Sequence, residues 1–303
     1  MDGFDELLKK KYHGELQENV ALAPFLSFRI GGVCRYLAFP EDEEELMLLI
    51  SLARYKQVPF YVIGKGSNVL FGSQEFHGLV IYLGTRFKGL SFLSEGEDTI
   101  FRSSAGNTLW ELGEEAAKLG LGGLEFLSYI PGTLGGALVT NAEAHGASIG
   151  DLVEEVVVFD GEGVRSFSNS ECEFAYRTSV FEKRRNYVIL RVLLRLKKRS
   201  VGIIAANRDT AKAFRMDHQP KKPSAGSIFK NPKLAPAGLL IDRAGLKGLS
   251  HGDACISMEH GNFILNNGKA GSDDVLWLIH TIKRKIFHDF AVILEPEIKI
   301  LNC

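Results

Sequence analysis

Lys222-Pro223-Ser224-Ala225-Gly226-Ser227-Ile228-Phe229-Lys230-Asn231-Pro232 sets a hydroxyl, an ammonium and an amide around a flexible turn. Gly226 lets the backbone approach a ligand, Ser227 offers a hydroxyl that can give or accept a proton, and Lys230 and Asn231 reach phosphate or carboxylate oxygens. Such a segment suits a reacting ligand better than a core. A polar loop bracketed by prolines is the competing reading, and loops of this composition are common. The rest of the chain has to decide between them.

With 303 residues, 45% of them apolar and 32 of them glycine, the chain is long enough for two or three domains with their own cores. Lysine and arginine number 36 against 37 acids, and the net charge of -1 gives no electrostatic case for nucleic acid or an anionic membrane. The basic groups Lys183-Arg184-Arg185 and Lys197-Lys198-Arg199 read as solvated strand ends. Met1-Asp2-Gly3-Phe4-Asp5-Glu6 lacks the apolar core of a secretory signal, and no later stretch approaches a membrane span, so a cytoplasmic location is expected. Cys34, Cys172, Cys255 and Cys303 form no C-x-x-C pair, and the histidines lack H-E-x-x-H spacing. Reduced structural thiols and no metal are expected.

Asp42 to Lys56 repeats apolar residues at Leu46, Leu49, Ile50 and Ala53, a helical period, and precedes the strand-like Val58 to Ile63. Leu79 to Leu83 and Val153 to Asp160 read as strands, and Leu109 to Leu119 as a helix ending at Gly120. After a strand from Tyr187 to Leu196, a helix around Ala205 to Arg215 marks a change of unit. The last segment holds a helix with Ser272 as N-cap and Val275, Leu276, Ile279, Ile282 and Ile286 on one face, followed by a strand from Ala291 to Leu301.

Further clusters carry polar chemistry. Gly64-Lys65-Gly66-Ser67-Asn68 follows a strand, where backbone amides form anion-binding nests. Val69 replaces the third glycine of G-x-G-x-x-G, and no Walker A spacing occurs, so both of those familiar phosphate loops are excluded. A second glycine segment, Ile130-Pro131-Gly132-Thr133-Leu134-Gly135-Gly136, leads into Asn141-Ala142 and ends near Gly146. Two such loops can hold a dinucleotide, or they can be closely packed turns. In Tyr176-Arg177-Thr178-Ser179 the arginine suits a bidentate contact to a carboxylate, against the plainer reading of an exposed arginine beside a packed tyrosine. In Leu294-Glu295-Pro296-Glu297-Ile298-Lys299-Ile300 the two glutamates share one face of an extended chain, facing either solvent or a cleft.

In this order, and together with Ser27-Phe28-Arg29-Ile30-Gly31-Gly32 and Ala237-Gly238 through Ala244-Gly245-Leu246-Lys247-Gly248, these clusters resemble the UDP-N-acetylenolpyruvoylglucosamine reductase (MurB) family of bacterial peptidoglycan synthesis. The resemblance covers nearly the whole chain and is closest to the shorter, second type of the enzyme. It implies an α+β protein: a two-subdomain FAD-binding unit of PCMH type (1–80 and 81–203), then a smaller α/β substrate-binding domain (204–303). It implies non-covalent FAD held by Gly64, Lys65, Gly66, Ser67, Asn68, Pro131, Gly132, Gly135, Gly136, Asn141, Ala142 and Gly146. NADPH is the implied co-substrate and UDP-N-acetylglucosamine enolpyruvate the implied substrate, in a monomer with no nucleic-acid or membrane partner. Arg177 and Glu297 would polarise and stabilise the enolate-like centre that follows hydride addition, and Ser227 would protonate it. Glu297 has to be protonated to act as a donor. Tyr176, Lys230 and Asn231 are the implied substrate contacts.

The family's Asn-Ala-Gly-Ala-Tyr-Gly reads here Asn141-Ala142-Glu143-Ala144-His145-Gly146, and Tyr129 stands where a small residue is usual. These departures bear on flavin contact and leave the proton donor untouched. Two other readings fit the same motifs: an FAD-linked oxidase on the same cofactor fold, or a nucleotide-sugar binding protein without catalysis. The set of Ser227, Arg177 and Glu297 argues against the oxidase, which has no carbanion to protonate.

Overall fold

The computed structural model describes residues 3–95, 98–184 and 186–302; Met1, Asp2, Arg185 of the basic run and Cys303 lie outside the described residues. The chain forms two compact units. One comprises the residues up to Glu18, Tyr36–Lys65 and Gly78–Phe214; the other comprises Asn19–Arg35, Gly66–His77 and the residues from Arg215 onward.

A four-stranded sheet runs in the order Glu15–Ala21, Val33–Phe39, Phe76–Tyr82, Phe60–Ile63. Phe60–Ile63 lies parallel to its neighbour, with Phe60 opposite Leu79. Helix Glu43–Tyr55 is capped by Asp42, whose carboxylate accepts the Glu45 N–H at 2.9 Å, and it buries the predicted stripe of Leu46, Leu49, Ile50 and Ala53. The strand expected from Val58 begins only at Phe60. The Val58 N–H turns back to the Ala53 carbonyl at 2.8 Å, and Pro59 has no N–H to offer a ladder.

A six-stranded antiparallel sheet follows, in the order Val164–Ser168, Val153–Phe159, Val188–Lys198, Asp98–Ser104, Leu90–Glu95, with Leu121–Gly122 pairing to the far end of Val188–Lys198. Leu190, Val192, Leu194 and Leu196 alternate inward along the central strand and join Phe101, Leu112, Leu138 and Val156 in the core of this unit. Helix Leu109–Lys118 opens with a capping box: Thr108 Oγ1 accepts the Glu111 N–H at 3.1 Å, and the Glu111 carboxylate accepts the Thr108 N–H at 2.7 Å. Burial pushes the Cys34 thiol up to about 11 and the Cys172 thiol up to about 12, so both stay protonated and inert at neutral pH.

The second unit builds its own core from Phe28, Ile30, Leu70, Phe229, Ile256, Ile264, Val275, Ile279, Ile282 and Ile286. It contains the three-stranded sheet Ser250–His251, Ala254–Ile256, Ile264–Asn266, the helices Ala237–Arg243 and Ser272–Phe290, and a parallel pair of Val69–Phe71 with Lys299–Leu301. Gly271, not Ser272, is the N-cap of the long helix. Ser272 is its first helical residue, exchanging hydrogen bonds with Ser73 through both hydroxyls at 2.9 and 3.0 Å. The strand expected over Ala291 to Leu301 shortens to Lys299–Leu301, because Ala291 (φ 54) closes the helix and Pro296 makes only a single bridge, to Phe229. The helix expected over Ala205 to Arg215 extends to Val201–His218, started by the Ser200 carbonyl.

Thr108→Ala removes one half of the capping box and should lower stability by about 1 kcal/mol. Urea unfolding of the variant at neutral pH checks this value.

Candidate active site

In the first unit the two glycine segments meet. A Cβ built on Gly64 would overlap the Thr133 hydroxyl, one on Gly135 would stand 2.9 Å from the Ala105 Cβ, and one on Gly84 would stand 3.0 Å from the Gly64 carbonyl. Glycine is thus required for backbones to approach this closely. Gly135 and Leu134 donate their amides to Ala105 and Asn107, each at 2.9 Å, and Thr133 Oγ1 accepts the Gly136 N–H at 3.4 Å. The amides of Gly64, Gly132 and Thr133 have no hydrogen-bond partner among the described residues. Side-chain-free backbone with available N–H groups, beside the cation of Lys65, is the donor set that a dinucleotide pyrophosphate requires. The residues present therefore fit FAD.

Gly66, Ser67 and Asn68 belong instead to the second unit. Gly66 adopts φ 59 against Leu26, and its carbonyl accepts the Ser27 N–H at 3.3 Å. Asn68 donates its side-chain amide to the Glu297 carbonyl at 3.2 Å and accepts the Lys299 N–H at 2.9 Å. It stands with the carboxy-terminal glutamate motif.

Asn141 is buried in the first unit and left-handed at φ 44. Its Oδ1 accepts the Gly150 N–H at 3.0 Å, and its Nδ2 donates to the Ala175 carbonyl at 3.1 Å. The divergent His145-Gly146 forms the two-residue turn of a hairpin between Glu143–Ala144 and Ala147–Ser148, with φ values of 54 and 77. That is primed-turn geometry, which histidine tolerates better than bulkier residues. The His145 ring lies 5.0 Å from Phe214 edge to face, and Lys212 Nζ lies 5.7 Å from the Tyr129 ring. Two of the departures from the family pattern thus pack on the helix Val201–His218.

Tyr176 and Arg177 form the tip of a tight turn closed by Ala175 N–H to Thr178 O at 3.1 Å and Thr178 N–H to Ala175 O at 3.2 Å. Arg177 is left-handed at φ 53, with its guanidinium 6.0 Å from the Tyr176 ring. The buried Ser179 anchors the turn through its hydroxyl, which donates to the Val139 carbonyl at 2.9 Å. Asn141, holding Ala175, anchors the other side.

Ser227, Lys230, Asn231 and Glu297 share the second unit. The segment carrying Ser227 runs antiparallel beside the glutamate motif: Glu297 N–H donates to Ile228 O at 2.8 Å, and Lys230 N–H to Glu295 O at 2.9 Å. Ile228 thus stands opposite Glu297, one residue after Ser227, and Ser227 and Glu297 are both half-buried. Glu295 is exposed and pairs with the Lys230 ammonium at 2.7 Å. Asn231 Oδ1 accepts the Ala237 N–H at 3.0 Å and so supports the start of helix Ala237–Arg243.

Sequence reasoning missed Asn262, Asn266 and His260. Asn266 is buried and donates to the carbonyls of Phe28 and Arg29 at 3.1 and 3.3 Å, while its Oδ1 accepts from Gly268 and Ala270. Nothing in a lone asparagine at the end of a short strand signals such a role. His260 Nδ1 accepts the Asn262 N–H at 3.2 Å. Burial, then the charges of Lys247 and His218, hold its imidazole below the usual 6.5. The native state therefore favours neutral His260 while the unfolded chain takes up a proton first, and stability should fall as pH drops below about 6.5. Urea midpoints measured from pH 8 to pH 5 should show that decline in the parent and a flatter profile in His260→Gln.

Residues 219–301 match the family model described as UDP-N-acetylenolpyruvoylglucosamine reductase, C-terminal domain, and residues 34–166 match an FAD binding domain. The UDP-N-acetylenolpyruvoylglucosamine reductase of Anoxybacillus flavithermus is 38% identical over 300 residues, covering 98% of each chain. That of Chlamydia muridarum is 40% identical over 291 residues, covering 94% of each. The crystal structure of the Thermus caldophilus enzyme superposes with a TM-score of 0.77 at 35% identity, covering 95% of this chain and 98% of that one. An alkyldihydroxyacetonephosphate synthase, at 17% identity and a TM-score of 0.50 over 65% of this chain, shares the fold.

Proposed function

We infer that this chain, which belongs to the UDP-N-acetylenolpyruvoylglucosamine reductase family and is thus an FAD-dependent reductase of peptidoglycan precursor synthesis, takes its electrons from NADPH and converts UDP-N-acetylglucosamine enolpyruvate to UDP-N-acetylmuramate. In this reading it works as a monomer in the cytoplasm. No helix among the described residues is long and apolar enough to cross a membrane.

FAD, when bound, supplies two-electron hydride transfer between the nicotinamide and the enolpyruvyl ether. The available amides of Gly64 and Gly132 and the Lys65 cation would hold its pyrophosphate side, with Pro131, Gly135 and Gly136 keeping the backbone there free of bulky side chains and Asn141, Ala142 and Gly146 completing the loop. Hydride addition at the substrate methylene leaves negative charge on the neighbouring carbon, delocalised into the carboxylate. Arg177 places a fixed guanidinium fork on that carboxylate, and Glu297 in its protonated form donates a hydrogen bond to it. The Ser227 Oγ–H bond breaks as a C–H bond forms at the carbanion, and the serine regains its proton from solvent. A serine hydroxyl is a weak acid, but an enolate-like carbon is a strong base, so the transfer depends on close placement. Lys230 and Asn231 attend the diphosphate or carboxylate side of the substrate and Tyr176 the sugar or uridine. Lys230 has to exchange its ion pair with Glu295 for a substrate oxygen.

The observation that supports this reading is the main-chain pairing of the Ser227 segment with the glutamate motif, Glu297 N–H to Ile228 O and Lys230 N–H to Glu295 O. Ser227→Ala should leave anaerobic flavin reduction by NADPH unchanged and slow substrate-driven return of the oxidised flavin spectrum by about 10²- to 10⁴-fold, the range for a lost general acid. Equal loss in both half-reactions would remove Ser227 from that role, and recovery only on admitting oxygen would favour the oxidase.

A further inference from the structure

We propose that Asn262 is the positioning residue for Ser227: its carboxamide stands in for a missing strand partner of Phe229 and so sets where the Ser227 hydroxyl lies. This rests on Ser227 being the proton donor.

Ser227 and Phe229 each make only an isolated bridge, Ser227 with Phe263 and Phe229 with Pro296, and the chain bends at Ile228 between them. On one side of the bend the Ile228 N–H still reaches the main-chain carbonyl of Asn262, at 2.8 Å. Beyond the bend Phe229 is buried, and neither its N–H nor its carbonyl makes a main-chain hydrogen bond among the described residues. Asn262 closes both with its side chain: Oδ1 accepts the Phe229 N–H at 2.9 Å, and Nδ2 donates to the Phe229 carbonyl at 2.8 Å. A carboxamide is suited to this because it carries a donor and an acceptor in one plane at the spacing of a peptide group. Aspartate keeps the acceptor only, and alanine leaves two buried backbone groups unsatisfied.

Asn262 is itself held from several directions. It is 3% exposed. Its N–H is taken by His260 Nδ1, whose turn is shaped by the Ser257 hydroxyl accepting from Glu259 and His260 at 3.1 and 3.2 Å. A Cβ on Gly261 would stand 2.7 Å from the Gly238 carbonyl, so the turn is pressed against helix Ala237–Arg243. On its other side the Ser227 segment is gripped by Glu297 and Glu295. With both edges fixed, the bend has one position, and the hydroxyl two residues before Phe229 has a defined place. Carbanion protonation by a weak acid is the step most sensitive to that place.

The test compares Asn262→Ala and Asn262→Asp with the parent holoenzyme, alone and combined with Ser227→Ala. Flavin reduction by NADPH should be unchanged. Substrate-driven flavin reoxidation should slow by about 10- to 100-fold in Asn262→Ala, with a smaller change in substrate affinity, and its solvent deuterium isotope effect should rise. Asn262→Asp, which keeps the bond to the Phe229 N–H, should fall between, and it provides the measurement should the alanine variant not fold. Amide exchange at Phe229 should quicken in both variants without ligand present. In the Ser227→Ala background, Asn262→Ala should cost little further, since both changes remove one function. Additive losses, or equal slowing of both half-reactions, would overturn the assignment and leave Asn262 a purely structural residue. A Ser227→Ala enzyme with full substrate reduction would instead overturn the donor assignment itself.

Discussion

A peptide group removed from water has to find a donor or acceptor, and both units of this molecule meet that demand at their irregular places with asparagine carboxamides. Asn141 ties the amide of Gly150 to the carbonyl of Ala175, Asn262 closes both groups of Phe229, and Asn266 gathers Phe28, Arg29, Gly268 and Ala270. Regular sheet and helix satisfy their own backbones, but reactive side chains tend to sit where the chain turns out of those ladders. Such turns persist only if something else pairs them. In this chain the pairing groups hold the turn under Arg177 and the bend after Ser227, so the geometry of both segments depends on buried polar contacts.

The glycines work from the opposite direction. Where Gly64, Gly84 and Gly135 pack on Thr133, Lys65 and Ala105, a methyl group at any of the three positions would crowd its neighbour. Chain segments far apart in sequence are thereby brought within backbone distance, and N–H groups remain available for an anionic ligand. Close approach and carboxamide pairing together let the scaffold of the candidate site be built largely from main chain, which is stiffer than long side chains.

Much of the fold was legible because its signals are local. The stripe of Leu46, Leu49, Ile50 and Ala53 marks its helix, and the alternation through Leu190, Val192, Leu194 and Leu196 marks its strand, whatever the rest of the molecule does. The extent of the last strand was not legible. Whether Ala291 to Leu301 is a strand depends on a partner some 229 residues away in the chain, in the region of Asn68, and only its last three residues find one. The N-cap shifted from Ser272 to Gly271 because the serine hydroxyl is engaged by Ser73, another distant contact. The residues of the candidate site were legible as motifs. The asparagines that hold them were not, since a carboxamide in a loop reads alike whether it faces solvent or a buried peptide.

The parallel pairing of Lys299–Leu301 with Val69–Phe71 has a consequence for biosynthesis. The second unit draws on segments near residues 19–35 and 66–77 as well as the stretch after Arg215, so those early segments leave the ribosome long before their partners exist. Until residues 299–301 emerge, Val69–Phe71 is an unpaired apolar edge of the kind that nascent chains expose to chaperones and to one another. Completion of this unit thus waits on the synthesis of residues 299–301 and on closure of the long loop between the two strands.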